Sequence, residues 1–376
     1  MTDTFLQNYG WVVVSLLGGL LVALMFVMGA NLHLGSFQLD TLRKQAVLKA
    51  TRRKWIYAVA ALLVFGGAVY AAFPLFFRTF FGGARRLWEL LLLTFLLQLI
   101  AYALCSKTEK LLASNLFCII LMINGFLAPF IVGTAIGTFF TGAGFTVDRS
   151  VSPALVAWGS SWRGLEMLGR GQALLLGLIH VCLSYILGAL YVIRVVDDHA
   201  ERKNMRRSVR IASIPLLALS FVWVVSLMLG NGFTVDAEGI VTVERYKYLM
   251  TLLHYRPVQA VLLLGAVLFG VGLYFGVFTK SRRKGFWLTA GGTVIVVMGI
   301  FGLAGFNGTA FLPSFTDLQS SLTIHNCSAG AGLMRFLFWV SPAIPLALLG
   351  LGYVWHRVDH KKKITIRGLQ RQDGRR

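Results

Sequence analysis

The first apolar stretch of the chain, residues 11–32, reads WVVVSLLGGLLVALMFVMGANL and contains no charged side chain. A helix that crosses the hydrocarbon core of a bilayer needs about 20 predominantly apolar residues, and this stretch is long enough. No basic segment precedes it, and it is longer than the apolar region of a typical signal peptide. We therefore predict that it is a transmembrane helix and not a cleaved leader.

The composition of the whole chain agrees with this interpretation. Of its 376 residues, 57% are hydrophobic and 14% are charged, whereas soluble domains carry about 25% charged residues. Scanning outward from the first stretch predicts an all-α integral membrane protein with nine transmembrane helices. They form one polytopic domain over residues 1–356, followed by a basic tail at 357–376. The predicted spans lie near residues 11–32, 55–77, 87–104, 115–137, 172–193, 211–229, 258–278, 286–306 and 334–355.

The basic residues are distributed unequally between the two ends of these helices. The chain carries 36 Lys and Arg against 15 Asp and Glu. With nine spans, 25 of the basic residues fall on the side that holds the C-terminus and nine on the opposite side. Cytoplasmic loops of membrane proteins collect Lys and Arg, so we predict an outside N-terminus and a cytoplasmic C-terminus. Because topology explains the charge excess, we predict no nucleic-acid partner, although the clusters can attract anionic lipid.

Ionisable residues inside a span are candidates for function, since a bilayer makes them costly. Glu89 lies one turn into the third helix, where Arg85 at i−4 can neutralise it, and a role in proton transfer is the alternative. His180, in the middle of the fifth helix, is the candidate haem ligand, and a hydrogen bond to a neighbouring helix is the alternative. We find no metal-ligand spacing, P-loop, HExxH or nucleophile elbow, so we predict neither a metal site nor a catalytic residue.

Short motifs in several loops and helices carry further information. GFTVD occurs twice, at 144–148 and 232–236, each time just outside a span, which we attribute to shared turn chemistry. The small residues Gly133 and Gly137 form a GxxxG pair, which allows close helix packing. Four other blocks are ordered along most of the chain: WIYAVAALLVFGGAVYAAFP at 55–74, IVGTAIG at 131–137, FLPS at 311–314 and SLTIHNCS at 321–328.

Together with Asp197-Asp198 and the first FTVD, these blocks resemble subunit II of the cytochrome bd quinol oxidases. The resemblance implies two four-helix bundles plus one peripheral helix. It also implies a terminal oxidase of the bacterial cytoplasmic (inner) membrane that oxidises quinol, reduces oxygen to water and contributes to the proton gradient. In that family subunit I holds two haems b and one haem d and binds quinol. Subunit II then scaffolds subunit I without a cofactor of its own, and in some members it holds lipid or quinone, or a small single-helix subunit joins.

Two positions depart from the family pattern. Many members have an aspartate where this chain has Ile56, and another acidic residue where it has His33. A proton path through those two carboxylates is therefore absent, and Glu89 is the remaining candidate for such a path in this chain. Two alternatives stay open at this point: a secondary transporter that works alone, and an oxidase subunit with its own haem at His180.

Overall fold

In a computed structural model, the structure describes residues 2–35, 41–104, 111–236, 238–279, 282–361 and 364. Within these ranges nine helices are long and apolar enough to span a membrane, which confirms the predicted number. Most of the predicted basic tail lies outside the described residues. The spans, in chain order, are α1 (Asp3–Gly35), α2 (Leu42–Ala72), α3 (Arg85–Leu104), α4 (Leu116–Thr141), α5 (Gly171–Val195), α6 (His199–Leu229), α7 (Arg256–Phe278), α8 (Lys284–Gly305) and α9 (Ala331–Trp355).

Two basic clusters that the sequence assigned to loops are helical. The helix of α6 begins at His199 rather than near residue 211, because the Asp198 carboxylate accepts a hydrogen bond from the Glu201 amide at 2.8 Å and caps the first turn. The stretch Thr41–Arg52 likewise forms a helix, which makes up the first part of α2 and precedes the helix Trp55–Ala72. Helix formation continues past the apolar residues because charged residues are good helix formers at a membrane surface.

Prolines interrupt some spans and not others. The main helix of α2 ends at Ala72, before Pro74, and a π-helical turn, Arg78–Gly83, leads to α3. In α9 the helix is interrupted between Val340 and Ala343, at Pro342. Pro215, in contrast, lies inside the continuous helix His199–Leu229.

The centre of the protein is α1, which packs against α2, α5, α8 and α9. Trp11 is fully buried, and its indole N–H donates to the Phe301 carbonyl of α8 at 2.9 Å. Its ring also packs against those of Phe73, Phe139 and Phe311. Rings from several spans and one loop therefore fill this half of the interior.

Glycines bring the central helices into backbone contact. Gly133 and Gly137 of α4 face α5, where an added Cβ on Gly133 would lie 2.7 Å from the His180 Cβ. Gly29 of α1 packs directly on the backbone of Ser184 in α5. These small residues therefore serve contacts within the chain, which is one of the two uses of such motifs in membranes.

Both copies of GFTVD form the first strand of a β-hairpin. Strand β1 (Phe145–Asp148) pairs with β2 (Leu155–Trp158), and β3 (Asn231–Val235) pairs with β4 (Val241–Arg245). The segment before α9 joins both hairpins through bridges from Ser314 to Ala143 and from Thr309 to Thr234. We call the end that carries the hairpins the hairpin side, and the opposite end the basic side.

Candidate functional site

His180 lies in the interior between α1, α4 and α5. Its side chain is buried, and Nε2 lies 3.2 Å from the Val22 carbonyl oxygen of α1, within hydrogen-bond distance. Nδ1 has no hydrogen-bond partner in the described part of the chain. The geometry thus shows the helix-to-helix contact that was the alternative to a haem ligand, while ligation by His180 stays a prediction.

Glu89 occupies the first turns of α3 at the hairpin side. The Glu89 side chain is 49% exposed, and its carboxylate lies 3.1 Å from Arg85 Nε and 3.8 Å from Arg86 Nη1. Exposed ion pairs of this kind contribute about 0–1 kcal/mol. The predicted local neutralisation by Arg85 is therefore observed, and the carboxylate does not point into the helical interior. A role of Glu89 in proton transfer is a prediction that this geometry does not favour.

The two positions that depart from the family pattern have opposite environments. The imidazole of His33 is buried, stacks on Tyr185 at a ring distance of 3.9 Å, and places Nε2 3.1 Å from the Tyr185 carbonyl oxygen. Ile56 is 55% exposed on the outer surface of α2. The two side chains therefore share no site.

The polar interior of the protein includes a network that the sequence analysis did not single out. The Tyr102 hydroxyl lies 2.9 Å from Asn31 Oδ1 and 3.1 Å from Thr51 Oγ1, and all three residues are buried. Gln98, one turn before Tyr102, is fully buried, and neither end of its amide has a hydrogen-bond partner within the described ranges. The sequence signal was the spacing of four between Thr94, Gln98 and Tyr102, which puts them on one face of α3.

A buried ion cluster lies at the basic side, and it too was missed. Asp359 accepts contacts from Lys54 Nζ at 3.1 Å and from an Arg194 Nη at 3.3 Å, and all three side chains are less than 10% exposed. The Trp355 indole N–H donates to the same carboxylate at 2.9 Å. Lys54 directly precedes the helix Trp55–Ala72 of α2, Arg194 lies in the last turn of α5, and Asp359 lies beyond the end of α9. The sequence placed them in a loop, at a helix end and in the basic tail, so no local pattern brought them together. The cluster connects those three helix ends.

These features define a class of protein: a multi-pass helical membrane protein whose interior is filled by aromatic rings and small residues and contains few ionisable groups. Residues 6–358 match the family described as "Cytochrome bd terminal oxidase subunit II". The chain therefore belongs to that family, as its resemblance in sequence predicted. Members are subunits of a quinol oxidase, an oxidoreductase complex.

Individual relatives agree with the family. The chain is 24% identical over 357 residues to "Cytochrome bd-I ubiquinol oxidase subunit 2" of Escherichia coli strain K12, with 90% of each chain covered. The same identity and coverage hold for the protein of that name in Escherichia coli O157:H7. Among solved structures, a chain of the bd oxidase from Geobacillus thermodenitrificans superposes with a TM-score of 0.58 at 12% identity, covering 95% of this chain and 98% of that chain. This last similarity concerns the fold alone.

Proposed function

We propose that this chain is the non-haem subunit II of a cytochrome bd-type quinol:oxygen oxidoreductase in the bacterial cytoplasmic (inner) membrane. It scaffolds a haem-bearing subunit I, which oxidises quinol, reduces oxygen to water and contributes to the proton gradient. The observation that carries the proposal is the family match over residues 6–358. In this assignment the chain is not catalytic by itself. Its partners are subunit I and membrane lipid. The complex can also contain a small single-helix subunit, bound quinone or bound lipid.

The surroundings of His180, the candidate haem ligand, do not fit a haem, and we therefore assign the two haems b and the haem d to subunit I. His180 is the deepest histidine in a span, but its Nε2 lies on the Val22 carbonyl. On the neighbouring face, Gly133 approaches so closely that even a methyl group would crowd the His180 Cβ. Helices in backbone contact leave no room there for a porphyrin plane. The chemistry that haem supplies, electron transfer and oxygen reduction, then takes place outside this chain.

The outer surfaces of the spans suit a scaffold. Apolar side chains such as Ile214 (70% exposed), Phe221 (70%) and Leu263 (66%) cover α6 and α7. Surfaces of this kind are compatible with lipid and with another membrane subunit. We propose two four-helix bundles plus one peripheral helix, with the hairpin side outside and the basic side cytoplasmic. The topology can be tested by fusing to the C-terminus a reporter enzyme that is active only in the cytoplasm. We expect this fusion to be active, and an inactive reporter on a stably expressed fusion would indicate the opposite orientation.

Proton uptake is assigned to subunit I in this proposal. Ile56 faces outward, His33 is enclosed, and the half-exposed Glu89 carboxylate is already held by two arginines. A Glu89→Gln variant is expected to retain oxidase activity and its coupling to the proton gradient. Loss of coupling with intact assembly would instead establish Glu89 as part of a proton path.

The proposal is tested by mild detergent purification through a tag on this chain, followed by a reduced-minus-oxidised spectrum. We expect haem b and haem d bands together with a larger co-purifying subunit, and no haem when this chain is expressed alone. Membranes with an untagged chain are the control for non-specific retention. A colourless, monodisperse single chain from native membranes would contradict the proposal and favour the stand-alone transporter.

A further inference from the structure

A cavity of about 590 Å³ opens at the hairpin side, between the π-helical turn Arg78–Gly83 and the segment that runs from β2 towards α5. Arg78 and Arg163 line it from opposite segments, together with the backbone of β2 and the ring of Trp158. Neither arginine has a role in the fold or in the proposed function described above. The cavity is therefore a site without an assigned ligand.

The shape of the cavity is held by specific contacts. Gly83 lies so close to the Trp158 indole that no side chain could replace its hydrogen, and the indole N–H donates to the Thr79 carbonyl at 3.2 Å. Arg163 adopts a left-handed conformation with φ of 38°, and its carbonyl accepts from the Arg86 amide at 3.2 Å. Such backbone strain in a residue other than glycine, like a π-helical turn, is concentrated at functional sites. The strained conformation places Arg163 at the cavity.

The surroundings of the cavity are positively charged, although basic residues are rare elsewhere on the hairpin side. Of the nine basic residues on the hairpin side, four lie here: Arg78, Arg85, Arg86 and Arg163. The acidic groups beside them are Glu89, which pairs with Arg85 and Arg86, and Glu166, which accepts from the Gly164 amide at 2.9 Å.

The two arginines that line the cavity keep donors for a ligand. Arg78 gives one donor, Nη1, to the Ala154 carbonyl at 3.4 Å, and a guanidinium carries five N–H donors. Arg163 forms no ion pair among the described residues. The positive-inside rule does not explain arginines on this side, and both guanidinium groups have N–H donors available for an anionic ligand.

Exposed apolar side chains at the rim of the cavity indicate that the anion belongs to a lipid. Three apolar side chains of β2 and of the loops on either side of it are largely exposed: Trp162 (66%), Leu155 (63%) and Val151 (53%). Exposed Trp and aliphatic groups at the end of a span are typical of the bilayer interface, where lipid headgroups lie. A soluble anion requires no such apolar rim, whereas a phospholipid brings acyl chains that would cover it.

We propose that this cavity binds the phosphodiester headgroup of an anionic phospholipid from the leaflet on the hairpin side. Arg78 and Arg163 are its ligands, because two guanidinium groups can each hold phosphate oxygens through paired N–H donors. The acyl chains lie against the apolar rim. The site requires only the membrane location of the chain, so it stands independently of the reaction that the complex catalyses.

The test is a lipid titration of the complex purified through this chain, read by native mass spectrometry, with phosphatidylglycerol as the probe. A variant that combines Arg78→Gln with Arg163→Gln is expected to bind about 30-fold more weakly, from the usual contribution of two basic residues at a membrane surface. Arg78→Lys with Arg163→Lys keeps the charge and is expected to recover most of the affinity. The matched control is Arg256→Gln, an exposed arginine on the same side but outside the cavity, which should bind like the wild type.

Further arms distinguish the sources of the anion. Phosphatidylcholine carries the same phosphodiester, but its choline cation balances the charge. It should therefore bind more weakly than phosphatidylglycerol and lose less affinity in the double glutamine variant. Inorganic phosphate should displace phosphatidylglycerol only at a large excess. Three results would overturn the proposal: equal phosphatidylglycerol affinity in the double glutamine variant, no preference over phosphatidylcholine, or displacement by phosphate at equal concentration.

Discussion

Replacing Asp359 by asparagine removes the negative charge from the ion cluster at the basic side and keeps the shape of the side chain. In the wild-type protein Asp359 neutralises one of two cations, Lys54 at 3.1 Å and Arg194 at 3.3 Å. The exposed fractions of the three side chains are 3% for Lys54, 5% for Arg194 and 9% for Asp359. Water therefore cannot replace the lost carboxylate without opening the contacts between three helix ends.

The magnitude follows from this burial. Breaking a buried ion pair by removing one partner destabilises a protein by about 3–5 kcal/mol, since an uncompensated charge remains in the interior. In the wild type the Trp355 indole N–H donates to the carboxylate at 2.9 Å, and the asparagine oxygen can still accept this bond. We therefore expect the free energy of unfolding to fall by about 3 kcal/mol, at the lower end of that range. For a chain of this size, an unfolding entropy of about 2.1 cal/mol/K per residue makes that a fall of about 4 °C in the midpoint of thermal unfolding.

The assay is thermal unfolding in detergent, followed by tryptophan fluorescence, on the complex purified through this chain. Lys54→Met together with Asp359→Asn removes one cation as well and should recover part of the loss, which makes the double-mutant cycle non-additive. Glu89→Gln is the control, because its half-exposed ion pair should change stability by less than about 1 kcal/mol. An unfolding midpoint of Asp359→Asn within 1 °C of the wild type would contradict an uncompensated buried charge at this site.

Three further predictions concern other parts of the protein. Gly29→Ala should prevent close packing of α1 on α5 and lower the yield of folded protein severalfold, measured by size-exclusion chromatography. Gly67→Ala is the control, because an added Cβ there meets no neighbouring atom within 4 Å. Equal yields of the two variants would contradict this prediction. His180→Ala should leave the haem spectrum of the purified complex unchanged, and a lost absorbance band would establish a haem ligand. A hydrogen bond from the Ser320 hydroxyl lowers the pKa of the exposed Asp317 carboxyl below its ordinary value of 3.8, so ionised Asp317 stabilises the fold above that pH. Its advantage over Asp317→Asn in thermal stability should therefore disappear as the pH falls through the folded-state pKa, and an advantage that is constant down to pH 2 would contradict the assignment.

Much of the fold could be predicted because the bilayer demands long apolar helices, and these are visible as uninterrupted runs such as residues 11–32. The break before Pro74 was also predictable, since proline cannot continue the hydrogen bonding of the preceding turn. The start of α6 was not, because it depends on a capping contact from Asp198 rather than on hydropathy. Pro215 shows that a proline alone does not predict where a helix ends, since it lies inside the continuous helix His199–Leu229, which packs on α5.

The candidate sites were predicted less well. Glu89 and its arginine partner are four residues apart, so their contact follows from local helix geometry. The partner of His180 is the carbonyl of Val22, which is far away in the chain and can be found only when α1 and α5 are packed together. Both copies of GFTVD form hairpins, but their common pairing with the segment before α9 is a long-range contact that no local pattern indicates.

Hydropathy, charge and motifs are local properties of the chain. They were therefore sufficient to predict the class of this protein, its number of spans, the unequal charge of its two ends and its family. The tertiary structure alone decided which polar groups meet. Lys54, Arg194 and Asp359 lie in three different spans or their extensions, and Arg78 and Arg163 reach one cavity from two separate segments. Such groupings depend on how the helices pack, and packing is set by the sum of many contacts that are distant in sequence.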